Sequence, residues 1–109
     1  MGTRSVALLL VILPASLSAQ VRDLREFYRE RCVACHGAEG TGRGPNGARL
    51  GGGSLLDLRR MARQEEAGLV ITILRGRGAM PGFGRQLTEP EARRLVTEVL
   101  RPMASHKKR

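Results

Sequence analysis

Cys32, Val33, Ala34, Cys35 and His36, followed by Gly37, form the one stretch of this chain whose residue types and spacing demand a specific chemistry. Two thiols three positions apart lie on the same side of a helical turn. Each could form a thioether with a vinyl group on one edge of a haem, and the adjacent imidazole of His36 could then ligate the iron. C-x-x-C-H is a signature of such covalent haem attachment, although a pentapeptide also recurs by chance, so its context has to support it. Two other readings use the same side chains. A redox dithiol sits at the start of a helix that follows a strand, and no β-branched run precedes Cys32. A structural zinc site takes four ligands, and beyond the motif His106 is the only further Cys or His. A disulfide around Val33 and Ala34 would constrain the unfolded chain little.

The elements that must position these residues follow from the apolar pattern. Val21, Leu24, Phe27 and Tyr28 make one stripe of a helix running to Arg31, which delivers Cys32 at its C-terminal end. From Gly37 to Gly53 glycine dominates, as a flexible linker or as a loop folded closely against a bulky planar ligand; Pro45 and Leu50 interrupt it. It lacks the Gly-Lys-Ser/Thr ending of a phosphate loop. Ser54 is a candidate N-cap for a helix with Leu55, Leu58, Met61 and Ala62 on its apolar side, and a further helix is expected from about Glu65 to Leu74. Val70, Ile71 and Ile73 would also suit a strand, but no partner strand is evident. Gly76 to Gly84 is an irregular loop, and Met80 within it, between Ala79 and Pro81, lies where a core stripe is not expected. Its thioether is a soft ligand suited to haem iron as a sixth ligand. Thr88 and Glu91 form a capping box for the last helix, whose apolar face is Ala92, Leu95, Val96, Val99 and Leu100 and whose expected end is Pro102.

Residues 1–19 read as a secretory signal peptide: Arg4, an apolar run from Val6 to Leu13, Pro14, then small residues up to Ala19. That run is short of the roughly 20 residues needed to cross a bilayer, so no membrane span is expected in the mature chain. Residues 20–109 make one small domain. Its only aromatics are Phe27, Tyr28 and Phe83, a thin core that a covalently held haem would complete. The net charge is +9, and +8 once Arg4 leaves with the signal. Export, and the lack of a basic run interleaved with aromatics, argue against nucleic acid; an acidic protein partner fits better.

From about Asp23 to Arg101 the chain resembles the small class I c-type cytochromes, the monohaem bacterial cytochrome c family. Cys32, Cys35 and His36 match the attachment motif, Gly44 and Pro45 the loop proline, Leu50 the haem-packing leucine, Gly76 to Phe83 the Met-Pro loop, and Leu87 to Leu100 the C-terminal helix. The resemblance implies an all-α fold in which N- and C-terminal helices cross and loops enclose one haem c. It implies His36 as proximal ligand, hydrogen-bonded through its second nitrogen to the carbonyl of Pro45, and Met80 opposite. Leu24 and Val99 stand where the family often pairs a glycine with an aromatic. With both axial sites filled, the expected function is a periplasmic or otherwise exported one-electron carrier, a monomer and not an enzyme, serving an acidic oxidase, reductase or dehydrogenase. Arg43, Arg49, Arg75, Arg77 and Arg85 would form its positive rim. A haem-based gas sensor or weak peroxidase with a labile Met80 is the alternative, and ligation by His106 a third reading.

Overall fold

A computed structural model describes residues 2–12, 22–57 and 66–106. Helix α1 (Leu24–Arg31) starts where the Asp23 carboxylate accepts hydrogen bonds from the backbone N–H groups of Arg25 and Glu26, at 3.0 and 3.2 Å. The sequence reading started this helix at Val21, which lies outside the described residues. Leu24, Phe27 and Tyr28 form its buried face, and Arg29 and Arg31 sit in its last turn, where cations favour the helix dipole. The chain bends at Cys32 into a single turn, α2 (Val33–His36). The carbonyl of Cys32 accepts from the N–H of His36 at 2.9 Å, so both thiols and the imidazole ride on one short turn.

Helix α3 (Glu66–Arg75) buries Val70 and Ile73 against the rest of the core, and packing on other helices outweighs the strand preference of its β-branched residues. The capping box of α4 (Glu89–Leu95) forms as its residues predict. Thr88 Oγ1 accepts from the Glu91 N–H at 3.3 Å, and Glu91 Oε1 accepts from the Thr88 N–H at 2.9 Å.

The expected stop at Pro102 is corrected. The helix widens into a π-helical turn (Val96–Leu100) and continues as α5 (Arg101–His106), with Pro102 near the start of α5. In a regular helix the proline ring would collide with the carbonyl four residues back. The wider turn, closed by the Arg101 N–H on the carbonyl of Val96, lets the chain accommodate the ring and go on. Ser54 to Asp57 is not helical; Ser54 Oγ accepts the N–H of Leu56 at 3.2 Å in a local turn. Leu58, Met61 and Ala62, on which the expected helix rested, lie outside the described residues.

Among the described residues the fold is all-α, with isolated bridges at Arg43/Arg49 and Arg77/Met80 in place of strands. Helix α1 packs on α4 and the π-helical turn, the expected crossing of N- and C-terminal helices, and Leu24 and Val99 are both buried there. The Phe27 and Phe83 rings meet edge to face at 5.6 Å, which fastens the loop after α3 onto α1. Arg22 lies over the Phe27 ring at 5.7 Å, donates to the Gln86 carbonyl and reaches Glu91 at 3.9 Å. Glu66 ties α3 to the last helices through Arg93 at 2.9 Å and Arg101 at 3.4 Å.

Thr88→Ala should lower stability by about 1 kcal/mol in denaturant unfolding. The backbone N–H of Thr88 holds the Glu91 carboxyl below its ordinary value. Its contribution is therefore present above the ordinary carboxylate range and lost as pH falls. The stability difference between wild type and Glu91→Gln should be full at pH 7 and narrow as the pH is lowered through that range.

Candidate haem site

The turn bearing the thiols and the imidazole is pinned from outside at successive carbonyls. The carbonyl of Cys35 accepts from the N–H of Gly52 at 2.8 Å, and that of His36 from the N–H of Gly42 at 2.7 Å. The carbonyl of Gly37 accepts from the Tyr28 hydroxyl at 2.7 Å and the Gly40 N–H at 3.2 Å. So close an approach requires bare backbone. A Cβ on Gly52 would lie 2.3 Å from the Cys35 oxygen, and one on Gly42, whose φ is +74°, would lie 2.5 Å from the Gly52 oxygen. The glycine-rich stretch is therefore a fitted loop, and the linker alternative is set aside.

The loop also decides the state of the imidazole. His36 Nδ1 lies 2.9 Å from the carbonyl of Gly53, not of Pro45 as expected. Pro45 is exposed at the tip of a turn in which Gly47 donates to Gly44 and Gly44 to Ala48. The backbone that reaches the ring is the one brought in by the Gly52 hydrogen bond. A carbonyl only accepts, so Nδ1 carries the proton and Nε2 keeps its lone pair for a metal. Leu50 is half-buried; its N–H donates to Gly42 at 3.0 Å and its side chain lies across Gly44.

Cys32 is half-buried against the core and Cys35 is exposed, both as free thiols. Burial, with the neighbouring Cys35 as a smaller cause, pushes the Cys32 thiol up to about 11. A redox dithiol needs the opposite shift, towards thiolate, and no strand leads into this turn among the described residues. Nor do three or more His, Cys, Asp or Glu side chains cluster as a metal-holding group among the described residues. The dithiol reading loses its support, whereas a pair of thiols beside a metal-ready imidazole fits a covalently bound haem.

Met80 sits in a loop made stiff at both ends. Arg77 and Met80 exchange backbone hydrogen bonds at 3.0 Å each, and the N–H groups of Phe83 and Gly84 return to the carbonyls of Ile73 and Leu74. Gly76 has φ +79°, and a Cβ there would lie 2.5 Å from the Met80 carbonyl. The Met80 side chain is half-buried and packs against the core. Sequence reasoning singled out the thiols, the imidazole and Met80 as candidates. It missed the Tyr28 hydroxyl and the Gly53 carbonyl. The tyrosine four residues before Cys32 carried a usable signal, because a phenol on a buried stripe needs a polar partner; a backbone carbonyl carries none.

Residues 19–97 match the family described as cytochrome c oxidase, cbb3-type, subunit III. The chain belongs to the c-type cytochromes, as a small class I member. Cytochrome c6 of Thermosynechococcus vestitus (strain NIES-2133 / IAM M-273 / BP-1) is 24% identical over 105 residues, covering 88% of this chain and 82% of the relative. Cytochrome c6 of Thermostichus vulcanus is 23% identical over the same extent. The solved KustC0563 c-type cytochrome superposes with a TM-score of 0.63 at 28% identity, covering 75% of this chain and 98% of that one. Covalently bound haem c and electron transfer come with the family.

Gly52→Ala should cost this cytochrome more than the 1–3 kcal/mol typical of overpacking, read as a fall in unfolding midpoint and in yield of haem-loaded protein. Gly47→Ala is the control. It has φ +75° but nothing near a Cβ, so only the backbone penalty of about 1 kcal/mol is expected.

Proposed function

We propose that this chain is a one-electron carrier with a single haem c, held by thioethers to Cys32 and Cys35 and ligated by His36 and Met80. The observation that carries the reading is the 2.9 Å contact of His36 Nδ1 with the Gly53 carbonyl: because a carbonyl only accepts, the neutral ring would donate from Nδ1 and offer Nε2 to iron. Met80 supplies the soft ligand from a loop that its own hydrogen bonds hold in one shape. Leu50 and Pro45 belong to the loop that would lie over the haem. The haem supplies the redox couple. His36 and Met80 would hold the iron from backbone fixed by its own hydrogen bonds, so little rearrangement would accompany the change of charge and no open position would remain for a substrate. A thioether opposite a histidine favours ferrous iron. The reading is therefore a carrier and not an enzyme.

The partner is read from charge. Arg43, Arg49, Arg75, Arg77 and Arg85 are all exposed, and none forms an ion pair among the described residues. Arg93, Arg94 and Arg101, by contrast, are paired with Glu66, Glu89 and Glu98. Arg25, Arg29 and Arg31 of α1 are likewise exposed without an ion pair among the described residues, so the loop arginines belong to a wider uncompensated positive charge that would steer an acidic redox protein. We further propose that residues 1–19 are a signal peptide removed on export and that 20–109 function as a monomeric cytochrome domain. Residues 13–21, with the cleavage region, lie outside the described residues. No described helix is long and apolar enough to cross a membrane.

Expressed with a haem-attachment system, the protein should show a c-type spectrum with the weak far-red band of ferric iron–methionine ligation, unchanged by carbon monoxide. Met80→Ala should abolish that band and admit carbon monoxide. A wild type that binds carbon monoxide readily would instead favour a sensor or peroxidase. Electron-transfer rate to an acidic redox protein should fall steeply between low salt and 0.15 M, where the screening length is about 8 Å; a rate indifferent to salt would rule out the arginine rim.

A further inference from the structure

Tyr28 is 2% exposed, and its ring belongs to the apolar core with Leu24 and Phe27. A phenylalanine would serve that packing, and burying a hydroxyl costs stability unless it finds a partner. Here the partner is the Gly37 carbonyl, next in sequence to His36. Of the donors that pin the carbonyls of Cys35, His36 and Gly37, the others are all backbone N–H groups of the loop itself; Tyr28 alone reaches in from α1 with a side chain. Gly37 is also the pivot at which the chain leaves α2, with φ +81° and space for a Cβ closed off by the Arg43 carbonyl at 2.7 Å. The backbone leaving that pivot returns as Gly42 onto His36 and as Gly52 and Gly53 onto Cys35 and the imidazole.

We propose that Tyr28 is a positioning residue for His36: by pinning the Gly37 carbonyl, its hydroxyl fixes the loop that aims the imidazole and holds the Gly53 hydrogen bond. The inference rests on His36 being an iron ligand. Without the hydroxyl the Gly37 carbonyl keeps only the 3.2 Å bond from Gly40, the loop opens more often, and the Nδ1 proton meets water. A weaker Nδ1 hydrogen bond also makes the imidazole less basic and so less able to stabilise ferric iron.

The test compares the haem-loaded wild type with Tyr28→Phe. NMR follows exchange of the His36 Nδ1 proton into deuterated water, and a redox titration gives the midpoint potential. Exchange should accelerate about tenfold, the factor set by the loss of one ordinary hydrogen bond, and the potential should rise. Unchanged exchange and potential would overturn the proposal. So would equal acceleration in Val99→Ala, which loosens the core at the helix crossing without touching the turn, because Tyr28 would then act only through global stability. If Tyr28→Phe does not accumulate, the wild type decides: a resolved, slowly exchanging Tyr28 hydroxyl proton supports the clamp, and its absence overturns it. A wild-type spectrum without histidine ligation would show first, and would sink the ligand reading separately.

Discussion

The structure depends on the hydrogen bond between His36 Nδ1 and the Gly53 carbonyl. A neutral imidazole can place its proton on either nitrogen, and only one choice leaves Nε2 free for a metal. Gly53 makes that choice, and Gly53 is in reach because Gly52 and Gly42 bring bare backbone against the peptides of Cys35 and His36. Gly42 and Gly52, among the glycines of residues 37–53, are thus the steric requirement of one side-chain hydrogen bond. Substituting the glycines would move the loop before it moved the histidine.

The second constraint is that the two segments carrying the proposed ligands, well separated in sequence, must be held by a small core. Helix α1 meets both. Its C-terminal end runs into the turn that carries Cys32 to His36, its Tyr28 reaches beyond that turn, and its Phe27 grips Phe83, three residues after Met80. Helix α1 in turn lies on α4 and the π-helical turn, so the crossing of the first and last helices fixes the separation of the two segments. Leu24 and Val99 are both buried at this crossing, where the family often pairs a glycine with an aromatic. Two aliphatic side chains can fill comparable volume.

What was legible in the sequence was local. The thiols and imidazole share one turn, Thr88 and Glu91 cap one helix end, and Met80 lies between loop residues; each is decided within a few positions. What was not legible depends on where a distant backbone comes to rest. Gly53 accepts from His36 across 17 residues, and no residue type announces a carbonyl. Pro45 was the expected acceptor because the family resemblance implies it, yet it stands at an exposed tip. Pro102 misled for a related reason. A proline ends a regular helix, but Val96 to Leu100 widen the helix just before it, and nothing in those side chains marks the wider turn.

The same geometry bears on why electron transfer suits this site better than chemistry on a substrate. A site that turns over substrate needs an open position and commonly a segment that moves. Here the turn behind His36 is bonded at three successive carbonyls, and the loop of Met80 is bonded back to α3 on one side and to itself on the other. Both proposed ligands stand on backbone with little freedom to yield. Such rigidity hinders an incoming ligand and helps a transferred electron, because a site that keeps its shape has little to reorganise when iron changes charge. The proposed arginine rim, without ion pairs among the described residues, would add the remaining requirement, a way to bring a partner to the loops quickly without a large or lasting interface. Fixed ligands and a screened, reversible docking charge, as proposed, would answer the two demands on a carrier, which must exchange its electron fast and then leave.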